Sequence, residues 1–248
     1  MPVPTKGNPS TRVTLCFSGI MSVMERGFSF AEEEIYHVYN RGVEKRKIFL
    51  DESDYARMTL LLYLCNSKTP VNIREYLMRG FTYESLWSLD IDKPVVEIGA
   101  WCFMPNHFHL LLRESRAGGI SQFMLKVTTA YSMYFNRRTE RVGSLMQGPF
   151  KAEHVHEDRH LQYLFSYIHL NPVKLIPGES GWNESGIKNL KRAQAFLDKY
   201  KHSSLPDYMT PDSRKESKVI APDVFPWKFD SISEMSSELT EWLSINKG

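Results

Sequence analysis

Residues 95–112 have the sequence VVEIGAWCFMPNHFHLLL. The segment is mostly apolar on both sides of Pro105-Asn106, and this pattern predicts two buried strands joined by a tight turn. Because a β-strand places alternate residues on one face, we expect His107 and His109 to point the same way and Phe108 to point the other way. Two imidazoles that lie close together on a rigid strand supply half of the ligands of a metal site.

The chain as a whole has the composition of a globular protein. It has 248 residues, of which 42% are hydrophobic and 24% are charged. No apolar run approaches the roughly 20 residues of a membrane span, so we expect no contact with a membrane. The apolar patch at 13–21 is short and lacks a cleavage pattern, which argues against a signal peptide, and Met21 or Met24 is an alternative start. Cys16, Cys65 and Cys102 have no paired spacing, as is typical of a reducing cytoplasm, so the predicted location is cytoplasmic.

Hydrophobic periodicity and turn residues predict the order of strands and helices. Strands are predicted at 35–41, 95–103, 107–113 and 150–156, and helices at 51–65, 73–78, 121–138, 157–171, 187–200 and 232–243. This order indicates an α+β fold, a ferredoxin-like sandwich with an antiparallel sheet of four to five strands and helices packed on one face. The predicted organisation is a poorly ordered leader (1–31), a main domain (32–178), and a C-terminal helix with an extended tail (179–248). Within that tail, the Pro/Ser/Asp-rich stretch 202–230 is interpreted as linker or tail.

A second group of polar residues precedes Pro172. Tyr167 and Asn171 are four residues apart on a predicted helix and therefore share one of its faces. Asn171 falls in the last turn before Pro172, where its amide oxygen can leave the helix and reach a metal. A hard ion such as Mg²⁺ or Mn²⁺ accepts such an oxygen together with imidazole. The pattern predicts one divalent ion held by His107, His109 and Asn171, with Tyr167 beside a polarised phosphate as a nucleophile.

Simpler interpretations stay open for several of these side chains. A pair of histidines on an apolar strand is commonly core packing, and Tyr163, one turn before Tyr167, is the second candidate nucleophile. We interpret His37 as a sheet residue and His169 as facing another side of its helix. Four further residues have alternatives of the same kind: Tyr131 and Tyr134 suit core packing or base stacking, and His154 and His156 suit an edge strand.

The net charge is only +2, so clusters of basic residues matter more than the total. The predicted DNA-binding residues are Arg41, Lys45, Arg46, Lys47, Arg137, Arg138, Arg141 and Lys151. Solvated ends of helices and loops explain such clusters equally well.

Four motifs together resemble the single-tyrosine HUH transposases, and most closely the REP-associated tyrosine transposases. The motifs are Tyr36-His37-Val38-Tyr39-Asn40-Arg41-Gly42, Met104-Pro105-Asn106-His107-Phe108-His109-Leu110-Leu111, Tyr134-Phe135-Asn136 and Tyr167-Ile168-His169-Leu170-Asn171-Pro172-Val173. The resemblance implies a ferredoxin-like domain that binds single-stranded hairpin DNA. It also implies attack by Tyr167 that leaves a 5′-phosphotyrosine, with His107, His109 and Asn171 holding the metal. Many relatives carry an arginine after a Gln-Gly pair, where this chain has Pro149.

Two other functions compete with DNA strand transfer. One is a catalytically silent regulatory protein that binds hairpin DNA on the same fold, and the other is a metal-dependent nuclease that uses water. Some relatives are homodimers that exchange the tyrosine helix between subunits, and others are monomers, so the sequence leaves the oligomeric state open.

Overall fold

The computed structural model describes residues 29–70, 72–91, 93–225 and 231–245. Most of the predicted leader, including the apolar patch at 13–21 and Cys16, lies outside the described residues. So do residues 226–230 of the predicted tail. None of the helices in the described ranges is long and apolar enough to span a membrane.

A four-stranded antiparallel sheet forms the centre of the described structure. Its strands are β1 (Ile35–Arg41), β2 (Val96–Met104), β3 (His107–Glu114) and β4 (Lys151–Val155), in the order β2-β3-β1-β4. Pro105 and Asn106 form the predicted turn between β2 and β3. The predicted strands therefore all form, with bounds that differ by one residue or less at each end.

Eight α-helices accompany the sheet in the described ranges. They are α1 (Glu52–Leu64), α2 (Ile73–Met78), α3 (Gly119–Arg138), α4 (Asp158–Leu170), α5 (Trp182–Ser185), α6 (Leu190–Leu197), α7 (Leu205–Met209) and α8 (Ile232–Ile245). Short 3₁₀ helices lie at Val43–Lys45, Ser85–Ser88, Asn171–Leu175, Lys215–Val219 and Pro222–Val224. The carboxylate of Asp51 accepts a hydrogen bond from the backbone N–H of Ser53, which caps α1 as its sequence predicts.

The α+β prediction is confirmed, and the succession β1-α1-β2-β3-α3-β4 in this strand order is the ferredoxin-like arrangement. Helices α1 and α3 pack on one face of the sheet, against apolar residues that include Trp101, Phe108 and Leu110. The expected restriction of the helices to one face is wrong, because α4 and later helices cover the other face around Cys102 and Leu111. The physical reason is visible in β2 and β3, whose nearly continuous apolar runs need cover on both sides.

The interpretation of residues 202–225 as linker or extended tail is also wrong. This segment runs along the outer edge of β2, where the backbone N–H of Phe103 donates to the carbonyl of His202 over 2.9 Å. The N–H of Ser204 donates to the carbonyl of Trp101, also over 2.9 Å. Asp207 is buried and forms an ion pair with Arg214. The polar composition that resembles a linker supplies hydrogen bonds to an otherwise open sheet edge.

Candidate active site

The two histidines of the β3 motif lie on the face of the sheet that α4 covers. In the strand register His107 is opposite Arg41, and His109 is opposite Tyr39. Opposite residues of an antiparallel pair share a face, so the four side chains project to the same side. The ring centroids of His107 and His109 are 5.0 Å apart.

Helix α4 brings the predicted tyrosine to these imidazoles. The helix buries an apolar stripe of Leu161, Leu164, Phe165 and Ile168 against the sheet and its neighbours. Tyr167 lies beside this stripe, half-buried, with its ring centroid 5.6 Å from that of His109 in an edge-on contact. The structure therefore brings together a phenol and two imidazoles that are about 60 residues apart in the sequence.

Asn171 reaches the same place from the end of α4. It begins the 3₁₀ helix Asn171–Leu175, in which Pro172 prevents the α-helical hydrogen bonding from continuing. Its side chain is fully buried and contacts the His107 imidazole, yet neither amide atom completes a hydrogen bond of normal geometry with any of the described residues. Buried amides almost always have partners, so this amide is a candidate to bind a ligand.

The proton position on His107 follows from its neighbour Asn106. The Asn106 side-chain nitrogen donates to the carbonyl of Lys45 over 3.1 Å, which turns the amide oxygen toward His107. That oxygen lies 2.6 Å from Nδ1 of His107, so Nδ1 must be the donor. The lone pair of His107 is therefore on Nε2, the nitrogen that is left to bind a metal.

The electrostatics of the site keep both imidazoles neutral. Burial, and then the positive charges of Arg41 and Lys174, lower the pKa of His107 to about 4, against a smaller opposing effect of Asn171. Complete burial also holds the pKa of His109 well below its usual range, with added repulsion from His37 and His107. Neutral imidazole is the form that binds metals.

Two imidazoles and one amide oxygen form a donor set suited to Mg²⁺ or Mn²⁺ with water and phosphate oxygens as the other ligands. The buried amide of Asn171 and the lone pair on Nε2 of His107 fit this group. Within the described ranges, no cluster of three or more His, Cys, Asp or Glu side chains is arranged to hold a metal. His154 lies on the edge strand β4 and pairs with Glu34 at 2.8 Å.

Lys174 is a site residue that the sequence interpretation missed. Its ammonium donates to the phenol oxygen of Tyr167 over 3.3 Å and lies 5.1 Å from the centroid of the same ring. Helical spacing gives no hint of this contact, since Pro172 ends the helix between the two residues. The only sequence signal is a cation close behind the tyrosine motif.

His37 and Glu153 were missed as well. His37 was expected to be a plain sheet residue, yet its Nε2 lies 2.9 Å from Nδ1 of His109. Glu153, on β4, accepts a hydrogen bond from the Tyr39 hydroxyl over 2.7 Å, and its pKa falls to about 2, first because of its contact with His37. Alternation places His37 on the correct face, but only the pairing of β1 with β3 and β4 brings these groups together.

The competing tyrosines and His169 occupy other positions. Tyr163 stacks on Tyr167 with ring centroids 5.9 Å apart, and burial raises the pKa of Tyr163 to about 12, which disfavours it as a nucleophile. Tyr131, a residue of α3, is buried in the core. His169 faces away, as expected, and its Nε2 pairs with the hydroxyl of Ser204 over 2.7 Å.

The predicted basic residues divide into two groups. Arg41 and Lys151 project from the sheet on the same face as the histidines. Arg138 forms ion pairs with Asp51 and Asp54, which explains it without DNA. The other members are exposed or half-buried near chain turns: Lys45, Arg46, Lys47, Arg137 and Arg141. Of these, Arg46 pairs with Glu44 and Arg141 donates to Asn136.

The fold and the arrangement of this site are those of an α+β protein with a phenol beside a histidine pair. Residues 81–171 match the family model described as "Transposase IS200 like". The resemblance to the single-tyrosine transposases is thereby confirmed for this segment, which contains the histidine pair, Tyr167 and Asn171.

Two further comparisons complete the picture. The chain is similar to a solved structure of the REP-associated tyrosine transposase bound to a REP hairpin, at 12% identity and a TM-score of 0.46. That similarity covers 77% of this chain and 87% of the other. No curated protein matches the chain.

Proposed function

We propose that this protein cleaves and rejoins single-stranded DNA through a covalent link to Tyr167, as in DNA transposition. The observation that carries the proposal is the contact of the Tyr167 ring with His109 of the histidine pair, beside the Asn171 amide, which has no hydrogen-bond partner among the described residues. The match of residues 81–171 to the IS200-like transposases supports the same chemistry.

In this proposal His107, His109 and Asn171 hold one Mg²⁺ or Mn²⁺ ion. When bound, such an ion withdraws electron density from a phosphate and stabilises the charge that develops in the transition state. The chain itself holds the two imidazoles neutral and positions the phenol at their side. The binding residues, the metal and the tyrosine thus serve one reaction, the displacement at a phosphodiester.

The covalent step exchanges one ester for another. The phenol oxygen of Tyr167 forms a bond to phosphorus as the bond from phosphorus to the 3′ oxygen breaks. The phenol loses its proton to solvent, and the departing 3′ oxygen takes one up to become a hydroxyl. The 5′-phosphotyrosine keeps the phosphodiester, so the 3′-hydroxyl of the same or another strand can reverse the step. Lys174, 3.3 Å from the phenol oxygen, stabilises negative charge there when the tyrosine departs.

The proposed DNA partner is a single strand with hairpin ends. Arg41 and Lys151 flank the site on the same sheet face, and the exposed Lys45 and Lys47 follow β1 nearby. These cations would hold phosphates on either side of the reacting one.

The test uses a pool of single-stranded hairpin oligonucleotides with random loops and flanks, labelled at either the 3′ or the 5′ end, and Mn²⁺. A 5′-phosphotyrosine retains the 3′-labelled fragment on the denatured protein and releases the 5′-labelled fragment with a free hydroxyl. Tyr167→Phe should abolish the adduct, and the matched control Tyr163→Phe should retain it.

Other outcomes identify the competing functions. A band shift without cleavage would indicate a DNA-binding protein without activity. Cleavage that leaves no adduct, and that persists in the Tyr167→Phe variant, would indicate a nuclease that uses water. An adduct lost in Tyr163→Phe and kept in Tyr167→Phe would reassign the nucleophile.

A further inference from the structure

A chain of three side chains leads away from His109 across the sheet. Nδ1 of His109 lies 2.9 Å from Nε2 of His37, and the two rings are stacked with centroids 5.1 Å apart. On its other side, Nδ1 of His37 lies 3.8 Å from Oε2 of Glu153. The other oxygen of Glu153 accepts the hydroxyl of Tyr39, which fixes the carboxylate in place.

The carboxylate of Glu153 favours one placement of the protons on the two imidazoles. Nδ1 of His37 is buried without a hydrogen-bond partner in the described ranges, and the charge of Glu153 beside it favours an N–H there. With Nδ1 protonated, Nε2 of a neutral His37 is an acceptor. The short contact to His109 then requires Nδ1 of His109 to donate, which leaves its lone pair on Nε2.

We propose that His37 and Glu153 are positioning residues that hold His109 in the Nδ1-protonated form, with Nε2 directed to the metal. The inference rests on the metal site proposed above and deepens it. His37 and Glu153 act through His109 and do not touch the ion. Asn106 does the same for His107 from the other side, so each of the two proposed ligands has its tautomer fixed by a neighbour.

The geometry argues against His37 as a third imidazole ligand. Its Nε2 already faces Nδ1 of His109 at hydrogen-bond distance, and its Nδ1 faces Glu153. A metal between His37 and His109 would need their nitrogens farther apart than 2.9 Å, because each Zn- or Mn-type bond to nitrogen spans about 2 Å. The pair is therefore a hydrogen bond.

The first test needs neither metal nor DNA. Nitrogen-15 NMR of the full, metal-free chain near neutral pH reports which ring nitrogen of each histidine carries the proton. We expect the Nδ1–H form for His109, a shift toward Nε2–H in His37→Ala, and a partial shift in Glu153→Gln. His154→Ala removes a different imidazole–carboxylate pair and should leave His109 unchanged. An Nε2–H form of His109 in the unmodified protein would overturn the inference.

The second test measures Mn²⁺ binding by the loss of the free-ion EPR signal. Substitution of such outer partners weakens metal binding by about 10–100-fold, so we expect His37→Ala to fall in that range and Glu153→Gln to lose less. Unchanged Mn²⁺ affinity in both variants would overturn the inference. Glu153 is half-exposed, so its variant should fold even if the buried His37 cannot be replaced.

The two tests separate the inference from the proposed function. If the unmodified protein shows the expected His109 tautomer but binds no Mn²⁺, the metal assignment is wrong and the hydrogen-bonded chain stands. If the protein binds Mn²⁺ but the tautomer of His109 does not depend on His37, the metal assignment stands and the inference about His37 is wrong.

Discussion

Asn171 combines a stability cost with a proposed function in one side chain. A buried amide without hydrogen bonds costs about 1–3 kcal/mol of folding free energy. We predict that Asn171→Leu, which keeps the volume and removes the amide, stabilises the metal-free protein by about 1 kcal/mol. The same change should abolish tight Mn²⁺ binding and DNA cleavage. Urea unfolding and Mn²⁺ EPR measure the two effects, and a destabilised variant would show that the amide has a structural partner.

The charge state of Asp51 should affect the folding stability of the protein in acid. Hydrogen bonds from Ser53, and then from Arg138, lower the pKa of this carboxylate to about 2 from its ordinary value of 3.8. A lowered pKa means stability that is present above the unfolded value and is lost as pH falls through the folded one. Between pH 3.8 and about 2, Asp51→Asn should therefore lose less stability than the unmodified protein. Urea unfolding at several pH values tests this, and parallel curves would contradict it.

At the residue scale, the sequence predicts those positions that local pattern determines. His107, His109, Tyr167 and Asn171 follow from alternation on a strand and from spacing on a helix. His37 and Lys174 did not follow, because their contacts depend on strand pairing and on the turn after Pro172. Neither is encoded in nearest-neighbour spacing.

At the scale of elements, the beginning of α3 has an unusual cap. Its N-cap residue Gly118 has a φ of 75° and no side chain that could accept a hydrogen bond from the first turn. The side chain of Glu114, at the end of β3, is the acceptor instead. The buried Glu114 carboxylate accepts the N–H groups of Gly119 and Ile120, over 3.0 and 2.7 Å. A carboxylate at this end also interacts favourably with the helix dipole.

We predict that Glu114→Ala destabilises the protein by about 1–3 kcal/mol, because it leaves the buried N–H of Ile120 without its acceptor and the N–H of Gly119 with the carbonyl of Arg116 alone. Glu114→Gln keeps one acceptor oxygen and should lose about half as much. Exposed Glu140, beyond the end of the same helix, provides a control in Glu140→Ala that should change stability little. Chemical unfolding of the three variants decides the question, and equal stabilities would remove Glu114 from this role.

For the whole molecule, the sequence specified the sheet and its two crossover helices, while the second layer was only partly foreseen. Apolar runs, helical periodicity, turn residues and capping signals predicted β1 to β4, α1, α3 and α4. The segment 202–225 was missed because it packs through specific contacts and not through a periodic pattern. One example is Phe225, whose ring lies where a side chain on Gly99 would be, within 2.6 Å of an added Cβ. Such a fit between distant residues has no signature within either segment.

Tyr167 reaches the histidines of its own chain, and this predicts the result of mixing two inactive variants. Two chains that carry different inactivating changes, Tyr167→Phe in one and His109→Ala in the other, should not rescue each other when mixed. Proteins that build each centre from two subunits regain a fraction of their centres in such a mixture. We therefore expect no adduct in the mixture. When the unmodified chain is diluted, we expect the yield of adduct to fall in proportion to the protein concentration. Recovery of activity would mean that neighbouring copies exchange this helix when DNA is bound.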